Sequence, residues 1–274
     1  AFSAAGMLSP LAEQESGDAA MTALGWTSLA LWPQIVARLS TPVRLQAQGS
    51  LLLAHGQDLG AAQRVLARVQ GAEALAPQRL AVLEPALRSD LRAWLLPGEG
   101  LIHPVEAMAA LHDEAPGVSW HWGQVVSRLE PGRLDDRRFD WAIDTRGLGS
   151  RSIQLALRGV RGEIISLGLR NHGLRRPLRL LHPRQRVYLL PRSDDELVLG
   201  ASEIESEDRS PVSLRTAVEL MAAAHSLMPA LAEARITRLD VNLRPALPDN
   251  KALAHQEPGL LRLNGLYRHG WLLA

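Results

Sequence analysis

Residues 235–244 alternate apolar with polar side chains, Leu239, Val241 and Leu243 against Asp240, Asn242 and Arg244. A repeat of two is the period of a β-strand with one buried and one polar face. It predicts that Arg244 points with Asn242 and Asp240, away from the core on that side. Pro245 biases Arg244 itself toward extended backbone. Further strand-like runs occupy 43–54, 117–129, 139–145, 159–167, 185–191 and 196–202. Between Tyr188–Arg192 and Leu197–Ala201, the segment Ser193-Asp194-Asp195 reads as a hairpin loop. Helical spacing intervenes at 58–72 and 214–228, and 15–40 reads as mostly helical with a break near Gly25. In 214–228, Leu214, Ala217, Val218, Met221 and Met228 fall on one face. Ser210 and Pro211 supply a cap and first turn, and Pro229 a stop. This interleaving predicts an α/β (α+β) fold with a large antiparallel or mixed sheet.

A chain of 274 residues is long enough for one large or two smaller domains. The 30 basic and 29 acidic residues nearly cancel, so no polyanion-binding field arises and no nucleic-acid partner is expected. Lys251 is the only lysine; the arginine excess, beside so much Ala and Leu, reads as genomic bias. With no cysteine, disulfides and thiolate metal sites are excluded, which fits a cytoplasmic protein. No apolar run approaches the ~20 residues that span a bilayer, so no membrane partner is expected. The nine histidines show no metal-binding spacing, and neither a nucleophile elbow nor a phosphate-binding loop of the Walker type occurs. The chain opens on Ala1 rather than Met, which reads as a fragment or a partly ordered chain.

Two stretches set an arginine beside residues that constrain the backbone: Asn242-Leu243-Arg244-Pro245-Ala246-Leu247-Pro248-Asp249 and Gly265-Leu266-Tyr267-Arg268-His269-Gly270-Trp271-Leu272-Leu273. If the two guanidiniums converge, they form a fork for a small carboxylate. Two cations in one buried pocket need an anion between them. On spacing alone, Arg244 reads as an exposed strand-end arginine pairing with Asp240 or Asp249. Tyr188 likewise reads as a core tyrosine, and His269 as a solvated loop residue.

The same stretches resemble the C-terminal signature of FAD-dependent amine oxidases of the D-amino-acid oxidase class, and most of all the glycine oxidases of bacterial thiamine biosynthesis. Val187-Tyr188-Leu189-Leu190-Pro191-Arg192, the following Leu199-Gly200-Ala201-Ser202-Glu203, and Ala4-Ala5-Gly6-Met7-Leu8-Ser9-Pro10 are similar to that family as well, with Glu13 a further match. So is Asp144-Thr145-Arg146-Gly147-Leu148-Gly149, although Arg146 stands where the family usually has Ala. The resemblance implies FAD as cofactor, lying along Ala4, Ala5, Gly6 and Met7. Gly265, Tyr267, His269, Gly270, Trp271 and Leu272 line its ring, Gly147 stands at a turn of the flavin domain, and Val125 with Val126 on a strand over the adenosine half. It implies that Tyr188, Arg244 and Arg268 hold the carboxylate of a small amino acid, glycine first. Orientation and flavin chemistry then suffice without a side-chain base, and molecular oxygen as co-substrate yields hydrogen peroxide. Glu203 stands where some relatives carry an apolar residue, and either favours a substrate with a second cationic group or pairs with an arginine.

The implied organisation is a Rossmann-like FAD-binding domain of residues 1–40, 99–163 and 243–274, interleaved with an antiparallel-sheet substrate domain of 41–98 and 164–242. The family's glycine-rich pyrophosphate turn has no counterpart in these residues, so this stretch alone is expected to bind FAD poorly. A homo-oligomer stays open. So do a D-amino-acid dehydrogenase, a sarcosine oxidase, a tRNA-modifying oxidoreductase, and a degenerate flavin-free domain.

Overall fold

The computed structural model describes residues 3–16, 19–151, 156–182 and 186–273. In chain order the strands are β1 Met7–Leu8, β2 Leu45–Gln46, β3 Ser50–Ala54, β4 Glu73–Leu75, β5 Arg92–Leu96, β6 Gly100–Ile102, β7 Leu129–Glu130, β8 Arg133–Leu134, β9 Arg137–Arg138, β10 Ala142–Asp144, β11 Arg158–Gly168, β12 Leu178–Leu181, β13 Arg186–Pro191, β14 Glu196–Gly200, β15 Arg235–Ala246, β16 Leu253–Glu257 and β17 Leu260–Asn264. The α-helices are α1 Pro10–Glu13, α2 Ala19–Val36, α3 Leu59–Leu66, α4 Pro77–Leu83, α5 Pro104–Asp113 and α6 Leu214–Leu227.

Eight strands form one sheet in the order β15-β11-β14-β13-β12-β3-β5-β4, antiparallel except where β12 runs parallel to β3. Leu51, Leu53, Leu178, Leu189, Leu197 and Leu199 line one face, and α6 covers them with Leu220, Ala224 and Leu227. Three small sheets complete the molecule: β1-β6-β2, β10-β17-β16 and β7-β8-β9. In the second, β10 pairs in parallel with β17, Ala142 opposite Leu260. The fully buried Glu99 ties β3 to α1 by accepting from the Ser50 hydroxyl at 2.5 Å and the Ala12 N–H at 2.9 Å.

The mixed α/β architecture, the β13–β14 hairpin and the strand runs around β10, β11 and β15 agree with the sequence. Several local expectations are corrected. The run 43–54 is two strands, because Gly49 turns the chain at φ +84°, a conformation closed to most side chains. The run 117–129 is irregular up to β7. Helix α2 passes through Gly25 unbroken, with Gly25 buried. Helix α3 ends at Leu66 rather than running to 72. On α6 the buried residues are Thr216, Leu220, Ala224 and Leu227, while Leu214 is 81% exposed. Its cap is Ser213, whose hydroxyl accepts from the Thr216 N–H at 3.2 Å. Finally, β15 has no buried apolar face: Leu239 is 48% exposed, because β15 is an edge strand paired only with β11. An edge also tolerates Pro245.

Candidate active site

The two-residue period of β13 sends Val187 and Leu189 under α6, and Tyr188 and Leu190 to the other face of the sheet. There Tyr188 packs with Ala5, Met7, Ile164 and Ala201, so the segment before α1 lies against the central hairpin. Arg192 fastens that segment by donating from Nη2 to the Ala4 carbonyl at 3.1 Å. Tyr188 faces Gly200 across the hairpin, where a Cβ would stand 2.5 Å from the Tyr188 hydroxyl. Burial pushes the Tyr188 phenol up, against the pull of the Arg244, Arg192 and Arg179 charges, so the hydroxyl is a neutral hydrogen-bonding group at ordinary pH.

Arg244 sits on β15 opposite Val160 of β11. Its guanidinium lies over Gly162, where a Cβ would come within 2.8 Å of Nη2 and 2.9 Å of Nε. Nη2 donates to the Ser202 carbonyl, and Nε is buried with no hydrogen-bond partner. The ion pairs expected from spacing alone are not formed: Asp240 pairs with Arg238 at 2.6 Å, and Asp249 accepts from the Lys251 N–H at 3.1 Å.

The turn after β17 hooks onto the end of β15 through the Tyr267 N–H, which donates to the Pro245 carbonyl at 3.2 Å. Tyr267 is thereby placed between the two arginines: the Arg244 and Arg268 guanidinium carbons lie 5.6 and 5.1 Å from its ring centroid. Glu203 is bound to both neighbours, its Oε1 accepting from the Tyr267 hydroxyl and from Arg268 Nη2. Burial pushes the Glu203 carboxyl up, but these two bonds and the arginine charges outweigh it and hold it below the usual range. Burial likewise pulls Arg268 down, and Glu203 more than compensates, so Arg268 is held above its ordinary value. Of the two readings of Glu203, the structure forms the arginine pair.

The remaining side chains of the turn point inward. Trp271 packs on Trp32 at 5.6 Å between centroids, and its carbonyl accepts from Trp32 Nε1 at 3.1 Å. Leu272 is buried against Gly25. His269 is not solvated as expected; it is 6% exposed, with Nδ1 3.6 Å from Glu13 Oε2. The main-chain N–H groups of Tyr267, His269 and Leu273 bond to the Pro245, Leu266 and His269 carbonyls. Among the described residues, no carbonyl takes those of Gly270, Trp271 or Leu272. A Cβ on Gly270 would meet nothing within 4 Å. Gly147 lies near the same end of the molecule, its carbonyl accepting from Asn264 Nδ2 at 3.0 Å. Val125 is 82% exposed on irregular chain and belongs to none of these clusters.

Tyr188, Arg244, Arg268, Tyr267 and the Ala5–Met7 segment are thus brought together from four separated parts of the sequence. The model of the family described as FAD dependent oxidoreductase matches residues 1–274. The chain belongs to that family. Within the FAD-dependent oxidoreductases, a Rhizobium etli protein named as the thiamine biosynthesis oxidoreductase ThiO is 37% identical over 274 residues, covering 99% of this chain and 80% of that relative. The fold is similar to glycine oxidase from Geobacillus kaustophilus, with a TM-score of 0.83 and 23% identity over 99% of this chain and 80% of that one. It is also similar to iminodiacetate oxidase from Chelativorans sp. BNC1, with a TM-score of 0.80 and 22% identity over 99% and 82%. The family's cofactor, FAD, fits what the turn offers. Backbone donors need partners; among the described residues no carbonyl accepts from the N–H groups of Gly270, Trp271 or Leu272, and a Cβ on Gly270 would meet nothing within 4 Å. The side chains of His269 and Leu272 in the same turn are buried.

Sequence reasoning passed over Gly162. The available signal was a glycine inside a strand run, which marks a close approach of another group.

Proposed function

We propose that the protein oxidises glycine, or another small amino acid, to the imine, which water hydrolyses to the 2-oxo acid and ammonia, with oxygen reduced to hydrogen peroxide, in thiamine (thiazole) biosynthesis in the cytoplasm. The convergence of Arg244, Arg268 and Tyr188 beside Ala5 and Met7 carries this reading. It is supported by the ThiO relative and by the glycine oxidase fold. Bound FAD would supply the two-electron acceptor that returns the electrons to oxygen. Arg244 binds the substrate carboxylate, with the Tyr188 hydroxyl as a second donor. The Ala4–Met7 segment and the main-chain donors at 270–272 would hold the cofactor. With the substrate amine entering neutral, no side chain moves a proton, and the chain's contribution is orientation, which supplies ~7–11 kcal/mol of barrier reduction when geometry is good. We assign residues 1–40, 99–163 and 243–274 to cofactor binding and 41–98 and 164–242 to the substrate side.

The test is the visible spectrum of the purified native-length protein, followed by anaerobic glycine. A flavin band that glycine bleaches is the expected result, and no band even with added FAD would overturn the reading. Arg244→Ala should lower kcat/KM by about 3–5 kcal/mol of transition-state binding, as when a buried charge pair loses one partner.

A further inference from the structure

Three charged side chains meet at the Tyr267 ring, and only two of them are matched. Arg268 is tied to Glu203, which also accepts the Tyr267 hydroxyl's hydrogen bond on the same oxygen. Arg244, on the same ring, has a carbonyl partner, a buried Nε without one, and no ion pair among the described residues. Further out, Arg158 pairs with Glu205 at 2.9 Å, and Arg192, which donates to the Ala4 carbonyl, adds its charge on the Tyr188 side. The three side chains at the ring, Arg244, Arg268 and Glu203, themselves carry one positive charge in excess. A ligand with one carboxylate neutralises it, whereas a ligand with two brings an uncompensated anion beside Glu203. Leaving such an anion in a half-buried site is costly.

We propose that Glu203 sets the charge specificity of this site: by occupying Arg268 it leaves Arg244 as the one receptive guanidinium, so the site takes amines with a single carboxylate and rejects those with two. This rests on the reading that Arg244 receives the substrate carboxylate. Glu203 acts here by repulsion of the wrong ligand as much as by positioning Arg268.

The test is calorimetric titration of the FAD-loaded protein with acetate and with malonate. Wild type should prefer acetate. Glu203→Gln, which raises the local charge by one, should shift the acetate-to-malonate affinity ratio toward malonate by about tenfold or more. Glu203→Asp should keep the wild-type ratio. A second variant moves the count the other way: Arg268→Gln should weaken acetate itself by about tenfold, so the proposal stays testable if Glu203→Gln does not fold. An unchanged ratio in Glu203→Gln, or unchanged acetate binding in Arg268→Gln, overturns the proposal while leaving the oxidase reading intact. Acetate that binds Arg244→Ala as tightly as wild type overturns the assignment of the carboxylate to Arg244, and the proposal with it.

Discussion

At Gly162 the backbone of β11 passes so close to Arg244 that a single methyl group would occupy the space of the guanidinium edge. Gly162→Ala should push Arg244 off its seat and lower kcat/KM for glycine by about tenfold or more, on the order of 1.4 kcal/mol. The thermal midpoint should move little, since alanine also restricts the unfolded chain. Unchanged kinetics would show that Arg244 does not act from this position. The three polar residues of the proposed site were singled out by the family resemblance of their local contexts, Tyr188 before Pro191-Arg192, Arg244 before Pro245 and Arg268 between two glycines, whereas spacing alone gave Arg244 and Tyr188 structural readings. Gly162 was not singled out, because its importance lies wholly in a neighbour on another strand. The pairing of Glu203 was undecidable for the same reason, since nothing local fixes which arginine it meets.

Among the elements, the exposed edge strand β15 was read as a strand but with a buried face it lacks. Strands β11, β13 and β14 lie inside the sheet and carry dense apolar runs, so their limits were readable to within a few residues. In 117–129 the apolar residues are exposed, Trp122 at 77% and Val125 at 82%, and stretches of this kind carry no periodic signal of a buried face. Helix α6 was read in part: Ala217, Met221 and Met228 of the expected face meet the core, but Leu214 and Val218 are exposed. Its start distinguishes two serines. Ser213 caps the helix, whereas the Ser210 hydroxyl bonds to Asp208 at 2.6 Å in the preceding loop. Ser213→Ala should therefore destabilise the protein by about 1 kcal/mol in urea unfolding, and Ser210→Ala by clearly less. Equal losses would contradict the cap assignment.

For the whole molecule, one buried carboxylate makes a definable contribution to the acid response. The Asp144 side chain is 2% exposed. Burial pushes its carboxyl up, but bonds from the Arg146 side chain, the Ser150 hydroxyl and the Arg146 N–H bring it down to about 2 from 3.8. Because the folded value lies below the unfolded one, the stabilisation is present in full above roughly pH 4 and disappears as pH falls toward 2. It is worth about 2 kcal/mol by linkage. Asp144→Asn should lower stability at pH 7, and its deficit against wild type should shrink across that acid window in chemical denaturation. A deficit that does not change with pH would remove Asp144 from the acid response.

The contact between Trp32 and Trp271, the Arg192 bond to Ala4 and the parallel pairing of β10 with β17 all join distant parts of the chain. Closing such long loops costs entropy before the contacts return it, and chains dominated by them fold slowly. On a ribosome, the β13–β14 hairpin can form as soon as it emerges, but the turn that carries Tyr267 and Arg268 arrives after everything it must grip. The cluster at Tyr267 can therefore assemble only after β15 and this turn have both been made, well after the central hairpin.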